Sequence, residues 1–270
     1  MSQVQGGYAV VDVDDDSGSG QQGGLEFKTF LGDENARSTS QYESRPDVPY
    51  NPFNIAYYQS YFDVDTTTVL KRVGLAMIPR EGFVADACEG HVDLYGSFWT
   101  LTTLVLTLYT TSTLSASITQ YLAVPDAKAP SNLPLLSTAT SVVYAYGLVV
   151  PALLWAATTW LGVGSWSVVE ALGIYGYGMG IFVPISLLCL IPVGILRWVL
   201  VGMAAMSSGY FIFRNTYPVL ASADNKMLRF LIIAVVGLHA VMALAMKVLF
   251  FSYSVGGVNL GPDPGLSEGQ

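Results

Sequence analysis

Residues 168–213, VVEALGIYGYGMGIFVPISLLCLIPVGILRWVLVGMAAMSSGYFIF, form an apolar block that decides the fold. Only Glu170 and Arg197 are charged within it. Since about 20 apolar residues suffice for one helical crossing of a bilayer, the block is long enough for two. Pro192 and Gly194 mark the break between them, because Pro and Gly together favour a turn. The block therefore predicts two spans, at about 168–190 and 195–213.

Three further apolar stretches of similar length flank this block. They occupy residues 98–118, 141–161 and 230–251, and Pro151 lies near the middle of the second. Each has the length that a helix needs to cross a hydrocarbon core of about 30 Å. The sequence thus predicts an all-α polytopic membrane protein whose domain, residues 97–253, is a five-helix transmembrane bundle.

The composition separates this membrane part from a polar part that precedes it. The chain is 52% hydrophobic and only 12% charged, whereas soluble domains contain about 25% charged residues. Residues 1–96 hold 15 Asp and Glu against 6 Lys and Arg, and this acidity argues against nucleic acid as a partner. The first 50 residues contain no apolar core of a signal peptide, so we expect no cleavable leader.

The polar part divides into a tail and a pre-membrane segment. Residues 1–50 are predicted to be a disordered acidic tail, because they have too few branched apolar residues to offset the entropy of ordering. One island, LEFKTFLG at 25–32, is either an incidental part of this tail or a short motif that orders on a partner. At the other end of the chain, residues 254–270 are expected to form a short tail without Lys or Arg.

Residues 51–96 are predicted to contain a short amphipathic helix before the membrane. Asp65 suits the N-cap position, where a carboxylate accepts free amides of the first turn, and Pro79 ends the helix. Lys71 and Arg72 are expected to lie off the apolar face. That face is predicted to contain Val69, Leu70, Val73 and Met77. The helix is expected to lie on the membrane or to pack under the bundle.

Lys and Arg predict the orientation, since they are enriched on the cytosolic side. With five spans, the N-terminal part and the loop between spans four and five share one side. Both carry cations close to the membrane: Lys71, Arg72, Arg80, Arg214, Lys226 and Arg229. The loop after span one has only Lys128. We therefore expect a cytosolic N-terminus and a lumenal C-terminus, with Arg197 and Lys247 snorkelling to the lumenal face.

Ionisable residues within the spans were weighed as functional groups. Glu170 is either an interfacial residue that complements a helix N-terminus or part of a proton path. His239 and the pair Ser207-Ser208 suggest a serine–histidine dyad only weakly, because the surrounding residues lack the Gly-x-Ser-Gly pattern. Hydrogen bonding of His239 between closely packed helices is the favoured interpretation. No catalytic residue is predicted.

A cluster of potential metal ligands precedes span one, and we interpret it as a solvated loop. Its members are Asp86, Cys88, Glu89, His91 and Asp93. A metal site would need a second set of ligands, and the only other His and Cys lie in spans. Cys88 and Cys189 occupy different environments, so no disulfide is expected. We predict no metal and no cofactor.

The stretch GIYGYGMGIFVP, residues 173–184, places four glycines within one span. Gly176 and Gly180 have the small-xxx-small spacing that lets helix backbones approach closely. Ala205 and Gly209 of span four have the same spacing and are expected to face them. The stretch is interpreted either as packing within one chain or as an interface with a second membrane protein.

Several motifs together resemble the Yip family, membrane proteins named for interaction with Ypt/Rab GTPases. DLYGSFW at 93–99 resembles the family's DLYGPxW motif, and YGYGMGIFVP at 175–184 resembles its YGYSL motif. YYQSYFDVDTTTVLKR at 57–72 resembles the branch of the first and second mammalian YIPF members. The likeness covers residues 53–250, and Ser97 and Gly178 depart from the usual Pro and Ser. The motif positions are Asp93, Leu94, Tyr95, Gly96, Trp99, Glu170, Tyr175, Gly176, Tyr177, Gly178, Gly180 and Pro184.

The resemblance implies a Golgi or early-secretory membrane protein without enzymatic activity. It implies binding to Rab-type small GTPases and to other Yip proteins within the lipid bilayer, in vesicle-mediated transport and Golgi organisation. The alternative is a small transporter or lipid-handling protein that uses Glu170 and the hydroxyl-rich span one as a path. A transporter should show an internal repeat, and none is evident in the sequence.

Overall fold

The computed structural model describes residues 59–78, 82–123, 133–191, 193–222 and 226–252. Within these ranges the chain is helical and contains no strand. The α-helices are α1 (Thr66–Met77), α2 (Leu94–Ala123), α3 (Leu133–Tyr144), α4 (Val150–Trp160), α5 (Val168–Gly178), α6 (Phe182–Leu188), α7 (Gly194–Leu220) and α8 (Lys226–Phe250). The acidic tail and the short C-terminal tail predicted above lie outside the described residues.

Five helical stretches are long and apolar enough to cross a membrane, which confirms the predicted five-span bundle. In order along the chain they are Leu94–Tyr121, Leu133–Trp160, Val168–Leu188, Gly194–Leu220 and Lys226–Phe250. We refer to them as spans one to five. The predicted break between spans three and four is also confirmed, because one helix ends at Leu188 and the next begins at Gly194. Most spans are longer than predicted, since helices continue beyond their apolar cores.

Span three is the central helix of the bundle. In its most apolar window 67% of the residues are buried, against 28–33% in the other four spans. It packs against spans one, two and four and against α1. Its glycines explain this position. They have no Cβ atom and lie on several faces of the helix, so a neighbouring helix can approach closely at each of these faces. The glycine-rich stretch thus lies at the centre of the fold.

Span two contains a local widening that no sequence pattern predicts. A π-helical turn, Ala145–Val149, separates α3 from α4, and Pro151 falls in the first turn of α4. Pro lacks an amide donor, so the first turn of a helix, where amides have no partner within the helix, tolerates it. Single π turns within α-helices are frequent at functional sites, and this one contains Tyr146, which is buried.

Helix α1 begins as predicted, but its packed face includes Arg72 and excludes Leu70. Asp65 is its N-cap, and its carboxylate accepts the Thr67 amide at 3.1 Å. The buried residues are Val69, Arg72 and Ala76, whereas the side chain of Leu70 is 67% exposed. The expectation that Arg72 lies off the packed face is therefore wrong. Hydrophobicity alone assigned that face, whereas Arg72 points into the bundle and forms an ion pair with Asp93.

Candidate functional site: the Asp93 cluster

Asp93 is the centre of a buried polar cluster at the start of span one. Its carboxylate forms an ion pair with the Arg72 guanidinium. It also accepts the Gly96 amide at 2.6 Å and the Tyr177 hydroxyl at 2.8 Å from each oxygen. Asp93 and Arg72 are only 3% and 9% exposed. Three segments that are distant in the sequence, α1, the start of span one and span three, therefore meet at one carboxylate.

Local structure explains why each donor reaches Asp93. The carboxylate accepts an amide of the first turn of span one, as a helix cap does. Arg72 also donates from Nε to the Ala87 carbonyl at 3.3 Å, so its fork is held at two points. The Tyr177 hydroxyl fits because Gly96 has no side chain: a Cβ there would collide with it. The glycine of the DLYG motif thus makes room for the second tyrosine of the YGYG motif.

The glycines of span three continue this close contact. A Cβ on Gly176 would lie 2.6 Å from Ser97 Cβ and 2.9 Å from Ser97 Cα, closer than packed atoms tolerate. A Cβ on Gly180 would lie 3.3 Å from Val73 of α1 and 3.4 Å from Thr100 of span one. The face that carries Gly176 and Gly180 is therefore occupied by α1 and span one of the same chain.

The remaining motif positions fall into separate groups. Tyr175 is buried and its ring lies 5.5 Å from that of Tyr146. Gly178 faces span four, where a Cβ would lie 3.1 Å from Phe211 and from Ile212. Of the residues at the entry to span one, Leu94 and Tyr95 are half-buried and Trp99 is exposed, while Pro184 of span three is half-buried.

Glu170 lies at the start of span three and forms a capping box there. Its amide donates to the Ser167 hydroxyl at 3.2 Å, and its carboxylate accepts the Ser167 amide at 3.4 Å. The carboxylate therefore satisfies a helix N-terminus, as the structural interpretation expected. The structure does not bring Glu170 together with the Asp93 cluster.

Span four meets span five, rather than span three, through its small-residue pair. In span five, His239 Nε2 donates to the Ala205 carbonyl at 3.1 Å, and its Nδ1 lies 2.6 Å from the Tyr146 hydroxyl. A Cβ on Gly209 would lie 2.8 Å from the His239 ring. The expectation that Ala205 and Gly209 face Gly176 is therefore wrong, because that face of span three is already covered.

The serines of span four do not form a dyad with His239. The Ser207 hydroxyl donates to the Met77 carbonyl at 2.8 Å, and the Ser208 hydroxyl donates to the Gly178 carbonyl at 2.7 Å. Each serine thus joins a neighbouring helix to span four. The predicted hydrogen bonding of His239 across helices is confirmed by its contacts with spans two and four.

Cys88 lies beside the Asp93 cluster and is fully buried. Burial raises the pKa of its thiol to about 12, so at neutral pH it is neither a thiolate nucleophile nor a ready metal ligand. Among the described residues, no group of three or more His, Cys, Asp or Glu could hold a metal ion. Both cysteines are buried and free.

Arg197 and Lys247 differ from expectation, because both are buried in the bundle instead of snorkelling. Arg197 Nε donates to the Cys189 carbonyl at 2.8 Å and to the Ile191 carbonyl at 3.2 Å. Lys247 Nζ donates to the Phe251 carbonyl at 3.1 Å and lies 4.6 Å from the centre of the Trp198 ring. Carbonyls at helix ends lack donors within the helix, and Arg197 and Lys247 donate hydrogen bonds to such carbonyls here.

The arrangement at Asp93 is suited to holding elements together. Its carboxylate accepts from a guanidinium, an amide and a hydroxyl, so its acceptor sites are taken by the protein itself. The sequence motifs include Asp93, Gly96 and Tyr177 but not Arg72. The signal was present, since a cation on a membrane-associated helix next to a carboxylate at a span entry is expected to pair with it.

Comparison with known proteins identifies relatives over most of the chain. It is 33% identical over 214 residues to the "Protein YIPF1 homolog" of Dictyostelium discoideum. The aligned region covers 78% of this chain and 60% of that protein. It is 30% identical over 200 residues to the "Protein YIP5" of Schizosaccharomyces pombe, covering 71% of this chain and 78% of the relative. The "Protein YIP5" of Saccharomyces cerevisiae is 25% identical over 224 residues, which cover 74% of this chain and 71% of that protein.

No family model and no solved structure matches the chain. The Schizosaccharomyces protein is matched along more than three-quarters of its own length, whereas the chain spans less than two-thirds of the Dictyostelium protein. The chain therefore belongs to the Yip (YIPF) family of membrane proteins.

Proposed function

We propose that this protein is a non-enzymatic adaptor in membranes of the Golgi or early secretory pathway. In this proposal it binds Rab-type small GTPases at its cytosolic side and other Yip proteins within the bilayer, in vesicle-mediated transport and Golgi organisation. Membership of the family supports the role in traffic. The relatives are named as Yip proteins, and that name refers to interaction with Ypt/Rab GTPases.

The observation that carries the proposal is the internal use of the two motifs. Asp93, Gly96, Gly176, Tyr177 and Gly180 contact one another or neighbouring elements of the same chain. Because these residues are occupied by contacts within the chain, we assign partner binding to other surfaces. We assign the GTPase contact to the segment before α1, including the acidic tail, and the Yip contact to the lipid-facing sides of the spans.

The orientation in this proposal follows from the distribution of cations. The amide of Phe83, ahead of span one, donates to Asn215 Oδ1 of span four at 2.9 Å. This contact brings the pre-membrane segment to the end of span four that carries Arg214. Lys71 and Arg214 thus lie on one side, which the positive-inside rule assigns to the cytosol.

Proximity labelling from each end of the chain tests the proposal. A promiscuous biotin ligase is fused before Met1 or after Gln270, and a third fusion lacks residues 1–50 while keeping the N-terminal ligase. We expect Rab-type GTPases to be enriched by the N-terminal fusion over the C-terminal one. Deletion of residues 1–50 should lower GTPase labelling and leave the labelling of Yip proteins unchanged.

Two results would refute parts of the proposal. Equal GTPase labelling from both ends, or none from either, would remove GTPase binding. If a correctly inserted fusion labels proteins normally but lies in membranes outside the secretory pathway, the proposed location is wrong.

A further inference from the structure

A groove between spans two and five is open to the outside of the bundle. Its cavity volume is about 260 Å³, and its walls are residues of spans two and five that are all Val, Leu or Ala. Leu153 of span two and Leu238 of span five are 64% and 44% exposed, so the outer side of the groove is open. Ligand sites are typically such apolar concavities with a few polar groups that orient the ligand.

Tyr175 of span three is the polar side chain that lines this groove. It is only 1% exposed, and its hydroxyl forms no hydrogen bond with any described residue. The other two buried tyrosines of the described part of the chain differ in this respect, because the hydroxyl of Tyr146 contacts His239 and that of Tyr177 donates to Asp93. Buried tyrosine hydroxyls usually have a partner, so the one on Tyr175 calls for an explanation.

The Tyr175 hydroxyl can be reached from the groove. Among the described residues, Thr113 has the only side-chain nitrogen or oxygen that is both enclosed by the protein and without a partner. The Tyr175 hydroxyl has no partner either, so the protein does not enclose it completely. Since Tyr175 lines the groove, its small accessible surface faces that cavity. A molecule in the groove would therefore supply the missing hydrogen bond.

The volume of the groove argues against a helix as its occupant. An α-helix with its side chains is about 10–12 Å across, and one turn rises 5.4 Å, so one turn fills roughly 400–600 Å³. The groove, at about 260 Å³, is smaller than a single turn. A helix from another protein would cover the groove without filling it.

A phospholipid acyl chain is also a poor occupant. The hydrocarbon around the bundle is as apolar as the walls of the groove, so an acyl chain gains little by entering it. Holding a flexible chain in one conformation costs entropy, and methylene groups offer Tyr175 no hydrogen bond. A rigid lipid with one hydroxyl avoids both costs, because it has little freedom to lose and its hydroxyl can donate to or accept from Tyr175.

We propose that the groove between spans two and five binds a membrane sterol, with its fused rings against the aliphatic walls and its hydroxyl bonded to Tyr175. The wall residues lie in the half of span two that ends at Trp160 and the half of span five that begins at Lys226. Because successive spans alternate in direction, these two halves lie at one end of the bundle, as suits a lipid with one polar end. Sterol binding at this site does not depend on GTPase binding.

Photolabelling with a sterol probe tests the site. The purified full chain, in phosphatidylcholine proteoliposomes, is irradiated with a cholesterol analogue that carries a diazirine on its rings and an alkyne on its tail. Ala234→Phe narrows the groove from its exposed wall, and Tyr175→Phe removes only the hydroxyl. The matched controls, Ala240→Phe in span five and Tyr109→Phe in span one, make the same changes outside the groove. The melting temperature of each variant verifies that it is folded.

Labelling should be saturable, should map to spans two and five beside Tyr175, and should be displaced by unlabelled cholesterol but not by cholestane, which lacks the hydroxyl. Ala234→Phe should abolish saturable labelling, and Tyr175→Phe should weaken sterol binding about fivefold, as the loss of one hydrogen bond predicts. Both controls should label like the unmodified protein.

Labelling that does not saturate, or that is unchanged in either folded groove variant, would overturn the proposal. A diazirine-bearing phosphatidylcholine that labels the groove and is not displaced by cholesterol would assign the groove to an acyl chain instead. A photo-cross-linker at Ala234 that captures a second membrane protein in cells, together with an absence of saturable sterol labelling, would assign it to a partner helix.

Discussion

Asp93 and Arg72 form a charged pair that the bundle encloses. Moving two charges out of water is costly, and the pair stabilises a fold only when both partners remain and their other hydrogen-bonding sites are filled. Tyr177 and the Gly96 amide fill sites on the carboxylate, and the Ala87 carbonyl accepts from the guanidinium. The loss of one partner should therefore cost far more than the pair contributes.

We predict that Asp93→Asn destabilises the protein by about 3–5 kcal/mol, because it leaves the Arg72 charge buried and unpaired. Tyr177→Phe removes one hydrogen bond to a charged group and should cost about 2 kcal/mol. Unfolding of the purified protein in mixed detergent micelles measures both changes. Asp63→Asn is the matched control, because Asp63 is exposed in the same segment, and it should change stability by no more than about 0.5 kcal/mol. Equal stability of Asp93→Asn and Asp63→Asn would contradict the role assigned to the pair.

The sequence predicts the roles of some individual residues but not of others. The cap Asp65, the capping role of Glu170 and the hydrogen bonding of His239 across helices follow from local rules, and the structure confirms them. Arg72 was placed on the wrong face, because its partner lies 21 residues away and periodicity records only local order. Arg197 was expected to snorkel, but the carbonyls that it binds belong to a turn whose geometry the sequence does not specify.

Among the helices, span three depends on glycine for its central position. One glycine face is covered by span one and α1, and another by span four. Dispersion contributes only about 0.1–0.2 kcal/mol for each atom pair, so close approach over many atoms is what stabilises such packing in lipid. Larger side chains on the covered face would separate the helices and lose many contacts together.

We predict that Gly176→Leu/Gly180→Leu prevents folding, because the new side chains would overlap Ser97, Val73 and Thr100. Its abundance in cells should fall severalfold and the residual protein should be degraded. The matched control is Gly202→Leu/Gly237→Leu, which makes the same change at two span glycines that have open space where a Cβ would lie. Quantitative immunoblotting with a protease-inhibitor chase measures both. Normal abundance with loss of co-purifying partners would instead identify the face as an interface with another protein.

The number of spans and the turn between the third and fourth were predictable, because hydrophobic length and a Pro–Gly pair report them directly. Which helices touch was not predictable in the same way. Spans three and four were expected to meet through Gly176 and Gly209, yet Gly176 meets span one and Gly209 meets span five. The short turn between spans three and four makes them neighbours, but it does not determine which faces of the two helices are in contact. The π turn in span two was also missed, because no residue type specifies it.

The described residues form a bundle of five spans, so the segment just before span one and the end of span five lie on opposite sides of the membrane. The contact between Phe83 and Asn215 joins the entry of span one to the far end of span four. The contact between the Ser112 hydroxyl and the Phe250 carbonyl, at 2.9 Å, joins the later part of span one to the end of span five. Both contacts agree with alternating directions of the five spans.

We predict that an N-glycosylation acceptor appended after Gln270 is modified in cells and that one inserted before Tyr8 is not. The physical reason is the concentration of Lys and Arg on the side of the N-terminal region. A glycosidase-sensitive shift in electrophoretic mobility reports modification. The inverse result would reverse the orientation while leaving the contacts of the bundle intact.

The residues that mark the family join α1, span one and span three within one chain. Disulfide formation in Val73→Cys/Gly180→Cys, made with Cys88→Ala and Cys189→Ala, tests it directly in native membranes. A protease site inserted after Gly164 lies between the two positions in the sequence, so a bond within one chain keeps the cleaved fragments together until reduction. We expect rapid intramolecular linkage in this variant and none in Leu70→Cys/Gly180→Cys, because Leu70 lies on the outer face of α1. Fragments that separate without reduction, or linkage only between two chains, would contradict it.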